Sequence, residues 1–247
     1  MSDHDVIGFS QRIQLEWLER TASLVLAGNS RDEIRTVLRD LLAEKLSVGA
    51  NPKAGNREKA ISILLRIWVS VPEHLVPLRA AGLHLIDELP ASQHLPIHWG
   101  MSAANYPFFG GVAEATGRLL RLQGTVAAAQ VQRRVREQYG ERETVARATR
   151  RVLRCFIDWC VLQETDEKGV YAATTKHRIT EKTVSAWLVE AFMHASAQNI
   201  TALKGVVQSP MLFPFMFNPY DVTAPMRGGH LEFFRHGVDE EMVCLTG

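Results

Sequence analysis

Apolar residues recur every three or four positions through much of residues 9–89, which is the spacing of one buried face of an α-helix. The clearest segment begins with Ser30 and Glu33, which have the spacing of a capping box, and continues through Ile34 and Leu38. The pattern predicts four helices, namely residues 9–27, the capped segment to residue 42, residues 57–69, and a helix that starts between Pro72 and Pro77 and ends at residue 89. Short connections favour a helical domain over residues 1–100.

The pattern changes after residues 98–111, an aromatic and glycine-rich segment that we expect to join the N-terminal part to the next one. Three helices are predicted behind it, over residues 112–122, 126–139 and 143–162, with breaks at Gly124 and Gly140. Residues 161–164 and 170–173 are β-prone and enclose the turn sequence TDEKG, so we expect a β-hairpin after the third helix. These elements make a central domain over residues 101–180.

Residues 181–247 are predicted to form a C-terminal extension with one amphipathic helix, capped by Thr180 or Thr183, and a terminal β-hairpin. Between the helix and the hairpin lies an aperiodic, proline-rich segment. We expect its phenylalanines to pack in the core, because disordered tails lack aromatic residues. If they were exposed, they would instead mark a partner site. They include Phe213, Phe215 and Phe217. The chain as a whole is therefore predicted to be mainly α.

Arginine is concentrated in the central domain. Residues 118–154 carry ten arginines, no lysine and three acidic residues, a net charge of +7, whereas the whole chain carries +1. Because few acids lie nearby, we expect this positive charge to remain unscreened. Concentrated arginine is typical of a surface that binds a polyanion. On the third central helix, spacings of four and three place Arg147, Arg151 and Arg154 along one exposed ridge. Asp158 is expected to pair with Arg154.

The order of the central elements resembles the winged helix-turn-helix domain of DNA-binding proteins. The resemblance covers residues 111–180 and rests on helix order, on YGERET at the turn and on WCVLQETDEKGVY at the hairpin. It implies that the third helix enters the major groove of duplex DNA. It also implies that the hairpin, the wing of this family, touches the adjacent backbone or the minor groove.

The resemblance also implies a set of DNA-facing residues. The second and third central helices and the turn between them would contribute Arg133, Arg134, Arg142, Thr144, Arg147, Arg150, Arg151 and Arg154. The wing and the segment behind it would contribute Lys168, Lys176 and Arg178. Arginine suits phosphates and guanine edges because its planar fork donates two parallel hydrogen bonds.

Motifs for catalysis or cofactor binding are absent from the sequence, which has no Walker loop, dinucleotide fingerprint, zinc-ligand set or nucleophile elbow. The residues that could supply metal ligands in the N-terminal part are His74, His84, His94, His98, Asp3 and Asp87. Pro96 argues against a regular helix through His94 and His98, so we favour structural or surface histidines. His230, His236 and Asp239 resemble a catalytic cluster by composition only. We therefore expect no enzyme activity, no metal and no cofactor.

Two glycines, Gly110 and Gly111, precede a predicted helix and could hold an anion at its N-terminus, although no P-loop signature accompanies them. The three cysteines, Cys155, Cys160 and Cys244, make no disulfide framework. The first residues have no signal-peptide core, and no apolar run is long enough to cross a bilayer. We therefore expect a cytoplasmic protein with no membrane partner.

Two functions follow from these observations. The first is non-enzymatic binding of double-stranded DNA through the third central helix. The second is a protein-docking adaptor or scaffold subunit, because winged helices also serve as docking and dimerisation modules, and a homodimer would fit this role. In style the chain also resembles the small helical accessory proteins of bacterial phage-defence systems, which implies an antiviral, multi-protein setting.

Overall fold

A computed structural model describes residues 7–46, 55–217, 230–237 and 240–246. Its helices are α1 (Leu15–Leu26), α2 (Arg31–Leu41), α3 (Asn56–Trp68), α4 (Val76–Glu88), α5 (Leu95–Asn105), α6 (Pro107–Gln123), α7 (Ala128–Tyr139), α8 (Glu143–Asp158), α9 (Lys182–Ser196) and α10 (Leu203–Val207). Its strands are β1 (Thr125–Ala127), β2 (Leu162–Glu164), β3 (Val170–Ala173), β4 (His177–Arg178), β5 (Ile200–Ala202), β6 (Phe215–Met216), β7 (Leu231–His236) and β8 (Glu240–Leu245). The fold is mainly α, as the sequence predicts.

The four N-terminal helices are confirmed, with one correction at the start of α1. The helix begins at Leu15 rather than at residue 9, and residues 7–14 form a non-helical segment. Phe9 and Ile13 of this segment are nevertheless fully buried. The backbone of Ile13 forms hydrogen bonds with distant residues and not within a helical turn. Its N–H donates to Cys155 Sγ of α8 (3.1 Å), and its carbonyl accepts from Nε1 of Trp159, the residue that follows α8 (2.9 Å). We call residues 7–14 the N-terminal segment.

The aromatic and glycine-rich segment is helical, which the sequence pattern did not predict for it. It supplies most of α5 and the start of α6, with Tyr106 between them. Pro96 does not interrupt α5 because it lies in the first turn, where its missing N–H would have no partner. The aromatic residues of this segment are buried, and Trp99 stacks on Phe156 of α8 with ring centroids 4.8 Å apart. This stack joins the N-terminal helices to the central ones.

Gly110 and Gly111 lie inside α6, so the expectation of an anion site at a helix N-terminus is wrong. Both glycines are buried. A β-carbon on Gly111 would lie 2.5 Å from the Tyr139 hydroxyl, and one on Gly110 would lie 3.1 Å from Met211 Cε. These positions therefore allow close packing of α7 and of the chain around Met211 against α6.

The central part contains a strand that the sequence pattern misses. Residues predicted to open the second central helix form β1, and α7 starts at Ala128. β1 pairs antiparallel with β3, with Val126 opposite Tyr171, and β3 pairs antiparallel with β2 to complete the predicted hairpin. The three-stranded sheet therefore has the order β1-β3-β2. α8 ends at Asp158 rather than at residue 162, because Cys160 adopts a left-handed conformation with φ of 56°.

The C-terminal part packs against the first two parts. α9 is buried along almost its whole length against α4 and α5, and it starts at Lys182 behind Glu181, with no side-chain cap from Thr180 or Thr183. Phe213 and Phe215 are buried with ring centroids 5.7 Å from that of Trp99, which confirms core packing for both, and Phe217 is half-buried. β7 and β8 form the predicted hairpin, and β5 pairs with β8 as a third strand. The buried residues of all three parts belong to one continuous core.

No single helix among the described residues is both long and apolar enough to cross a membrane. α3 and residues 73–88 reach that length and composition only together, across a bend of 61°.

Candidate nucleic-acid interface

The pair α7 and α8 is fixed by a glycine turn and by packing on α6. Gly140 has a φ of +93°, a conformation that glycine adopts without steric cost, and this confirms the predicted turn. Arg142 Nη2 donates a hydrogen bond to the carbonyl of Tyr139 (3.1 Å), so this arginine closes the end of α7. The Tyr139 hydroxyl donates to the carbonyl of Pro107 (3.0 Å) and fixes α7 on α6. α8 in turn packs on α7 and α6.

The exposed face of α8 carries a stripe of charged residues. Its other face is buried through Val145, Ala148, Val152 and Phe156. Glu143, Thr144, Arg147, Arg150 and Arg154 are exposed. At about 100° per residue, the three arginines fall within one sector of the helix. We call Arg147, Arg150 and Arg154 the arginine stripe.

Arg151 does not belong to this exposed ridge, contrary to the prediction. It lies about 100° around the helix from Arg150, and its guanidinium donates to the carbonyl of Ser10 in the N-terminal segment. Burial, followed by the charge of Arg147, lowers the pKa of Arg151 below its ordinary value. The sequence pattern could not show this, because the covering segment lies 141 residues away. Arg151 therefore has a structural partner.

The arginines of residues 118–154 are screened, contrary to the expectation. Seven of the ten lie within 3.9 Å of a carboxylate, and Arg121, Arg142 and Arg151 donate to backbone carbonyls. Glu143 alone lies 3.2 Å from Arg150 and 3.9 Å from both Arg147 and Arg136. The seven arginines share only four carboxylates, so positive charge remains in excess. Exposed ion pairs are weak, about 0–1 kcal/mol each, so a stronger anion can replace them.

The arginines of α7 extend the positive surface. Arg133 and Arg134 are exposed and share Glu137, at 3.9 and 3.1 Å. Residues 128–158 together carry eight arginines and four acids, a net charge of +4. The positive potential therefore belongs to the α7–α8 pair as a unit.

The wing contributes little positive charge. Lys168 is exposed at its turn, but Asp166 and Glu167 precede it and are exposed as well. Glu164 of β2 is 2.7 Å from Arg154. Lys176 and Arg178 are exposed behind β3, and Arg178 lies in β4, which pairs in parallel with β6. The structure thus gives these three residues surface positions outside the arginine stripe.

The N-terminal segment lies along the last turns of α8. Arg12 forms a two-point ion pair with Asp158, at 2.5 Å for each oxygen. The expected pair of Asp158 with Arg154 is therefore replaced by this contact and by the pair of Arg154 with Glu164. Cys155 is buried beneath the segment, and burial raises the pKa of its thiol to about 12. The C-terminal half of α8 is partly covered, and its N-terminal half is open.

A second cluster of chemical groups joins Glu19 of α1 to His94 and His98 at the start of α5. Their ligand atoms all lie within 4.8 Å of one another. His94 Nδ1 is 3.0 Å from both carboxylate oxygens, and His98 Nε2 is 3.1 Å from one of them. Sequence reasoning identified both histidines but missed Glu19, which is 75 residues away in the chain. His74 and His84 are exposed elsewhere, and Asp3 and Asp239 lie outside the described residues.

Hydrogen bonding assigns this cluster a structural role. The indole N–H of Trp68 points at His98 Nδ1 (3.2 Å), so Nδ1 is an acceptor and the proton of a neutral ring sits on Nε2, facing Glu19. That nitrogen then has no lone pair for a metal. Burial lowers the pKa of His98 and keeps the ring neutral. Burial also opposes the charge of Glu19, but the contacts of His98 and His94 outweigh it and hold the pKa of Glu19 below its usual range.

Two of the three residues that resemble a catalytic cluster by composition, His230 and His236, lie within the described ranges. His236 is exposed at the end of β7, and the backbone N–H of His230 donates to the buried carboxylate of Glu190 (3.3 Å). Burial raises the pKa of Glu190 above its ordinary value.

Comparisons with protein-family models, with curated proteins and with solved structures found no match to this chain.

Proposed function

We propose that this protein is a non-enzymatic duplex DNA-binding protein whose helix α8 enters the major groove. The observation that carries the proposal is the combination of the arginine stripe with the arrangement around it. α6, β1, α7, α8 and the β2–β3 hairpin follow one another in the order of a winged helix-turn-helix domain. β1 pairs with β3 and adds a third strand to the sheet of this hairpin.

The geometry of α8 supports this reading. A B-DNA major groove admits an α-helix, and its base edges are read by side chains on the exposed face of that helix. The apolar face of α8 is fully used in the core, so its arginine stripe is the face that remains for a partner. Arg147 and Arg150 lie in its open N-terminal half, where contact with base edges or with the nearest phosphates would be made. Arg133 and Arg134 on α7 would then meet the flanking phosphates.

The structure also changes the contribution expected from each predicted residue. Arg151 is held by Ser10 and Arg142 by Tyr139, so we assign both a positioning role. The acidic neighbours of Lys168 leave the wing turn without excess positive charge. DNA affinity is therefore proposed to come from Arg133, Arg134, Arg147, Arg150 and Arg154, and Thr144, Lys176 and Arg178 would lie at the edge of the contact.

Fluorescence anisotropy with a labelled DNA duplex over a salt series tests this function. Five arginine–phosphate contacts predict a slope of about −4.5 for log K against log salt, and hence a loss of roughly 500-fold in affinity between about 50 and 200 mM salt. An affinity that does not depend on salt, or no binding at the lowest salt, would contradict the proposal.

A protein-docking adaptor is the second candidate. The observation that favours it is the pairing of arginines with Glu137, Glu143 and Glu164, because a surface of mixed charge suits a protein partner with complementary charges. This candidate predicts a captured protein partner whose binding weakens when Arg147 and Arg150 are replaced, and no retention of duplex DNA at low salt.

A further inference from the structure

A cleft distinct from the α7–α8 surface opens between the N-terminal segment, α3 and the junction of α5 and α6. Its volume is about 800 Å³, which lies in the range of cavities that hold small organic ligands. Apolar surface comes from Ile63, Ala104 and Tyr106. The ionisable side chains that line the cleft are Arg35, Glu58, Lys59, Arg66, His74 and His194. The cleft therefore combines apolar walls with several basic groups.

Two of the basic side chains in this cleft have no acidic partner among the described residues. Glu58 is the one acid among its described lining residues, and it is already bonded to Arg35 (3.0 Å) and to Arg39 (2.8 Å). Lys59 and Arg66 are exposed, and within the described ranges neither forms an ion pair with a carboxylate. The guanidinium of Arg66 lies over the ring of Tyr106, 5.6 Å from its centroid. Two cations are thus left for an anionic ligand.

A buried acceptor adds a second requirement. Asn105 lines the cleft and is 3% exposed. Its Nδ2 donates to the carbonyl of Met101 (3.0 Å), which fixes the orientation of the amide. Its Oδ1 is buried, and no described residue donates a hydrogen bond to it. A buried acceptor without a partner is costly, so a ligand that supplies an N–H or O–H group would satisfy it.

The imidazoles can assist an anion without adding charge. The rings of His74 and His194 lie 5.9 Å apart. Burial, then the charges of His74 and His230, lower the pKa of His194 to about 4, so its ring is neutral at pH 7. A neutral imidazole still has one N–H to donate.

We propose that this cleft binds a small organic phosphate of the size of a nucleoside monophosphate. Lys59 and Arg66 bind the phosphate, whose charge of about −1.5 to −2 matches these two cations. The sugar or base donates to Asn105 Oδ1, which inorganic phosphate, being mainly an acceptor, satisfies poorly. The pairing of two free cations with an unsatisfied acceptor is what selects a phosphate ester over a simple anion. This site is independent of duplex DNA binding.

Isothermal titration calorimetry of the full chain with inorganic phosphate, ribose 5-phosphate and adenosine 5′-monophosphate tests the site. The two esters are expected to bind at one site, and more tightly than inorganic phosphate. The variant Lys59→Ala/Arg66→Ala should weaken ester binding at least about tenfold, because hydrogen-bonded charge pairs are lost. Ser62→Asp places a carboxylate at an exposed position of the cleft and should have the same effect without removing any packed group.

The control is Arg31→Ala, which removes an exposed arginine of α2 outside the cleft and should leave ester binding unchanged. Thermal melts of each variant confirm that the fold is retained. The proposal is overturned if none of the three probes binds, if the esters bind no better than inorganic phosphate, or if the double variant binds them like the wild type. Loss of duplex affinity in Lys59→Ala/Arg66→Ala would overturn it too, because the cleft would then belong to the DNA surface.

Discussion

Glu143 offers a gain-of-affinity prediction, because it is the acid that holds the arginine stripe. Its carboxylate lies 3.2 Å from Arg150 and 3.9 Å from Arg147, and all three side chains are more than half exposed. A DNA phosphate that binds these arginines must displace their ion pairs with Glu143. It would also come close to the Glu143 carboxylate, which carries the same sign of charge. The isosteric change Glu143→Gln should therefore strengthen duplex binding.

The magnitude follows from the exposure of the pair. Two unit charges about 4 Å apart interact by about 1 kcal/mol in water, and exposed ion pairs are measured at about 0–1 kcal/mol. A relief of about 0.5–1 kcal/mol corresponds to a gain of roughly two- to fivefold in affinity. If one arginine thereby gains a phosphate contact, the salt slope should steepen by about 0.9. The helix should lose about 0.3–1 kcal/mol, because an acid in its first turn is removed.

Anisotropy titrations at low salt measure this gain. Asp40→Asn is the matched control, since Asp40 is an exposed acid on α2 and its replacement changes the net charge by the same amount. The reasoning fails if Glu143→Gln binds duplex DNA no more tightly than the wild type. It fails equally if Asp40→Asn produces the same gain, because net charge rather than the arginine stripe would then set the affinity.

Two further predictions concern stability. In Gly117→Ala the new β-carbon would lie 2.0 Å from the backbone oxygen of Pro210. We expect the free energy of unfolding, measured with urea, to fall by about 1–3 kcal/mol, although alanine has the better helix propensity. Gly205→Ala, which meets no atom within 4 Å, should be neutral or slightly stabilising, and an equal loss in both variants would contradict the packing. The free energy of unfolding should also fall as the pH is lowered from about 6.5 towards 4, since burial lowers the pKa of His194 to about 4 and the unfolded chain takes up that proton first. His194→Gln should flatten this part of the pH profile, and an unchanged profile would show that His194 is not responsible.

Local signals in the sequence predicted most of the helices and the hairpin. The Ser30–Glu33 capping box, the turn at Gly140 and the TDEKG turn each act through neighbouring residues, and each was found where expected. The three residues of β1 are too few to show a period, and they become a strand only by pairing with β3. α5 was missed because Pro96 was given the weight of a helix interior rather than of a first turn.

The candidate site shows the same limit. Helical spacing identified Arg147 and Arg154 as part of one exposed side of α8, because that relation is local. It could not exclude Arg151, because its partner Ser10 lies 141 residues away in the sequence. Glu143 lies close to three arginines, one on α7 and two on α8. The sequence pattern could not show this contact between the two helices either. Contacts across long sequence separations are what decide which arginines remain available.

The salt dependence of duplex binding by Arg147→Ala/Arg150→Ala tests the central claim most directly. Arg31→Ala/Arg39→Ala, which removes two exposed arginines of α2, is its matched control. Loss of two phosphate contacts should reduce the slope of log K against log salt by about 1.8 in the first variant and leave it unchanged in the control. Equal slopes in the wild type and in both variants would show that α8 does not contact the DNA backbone.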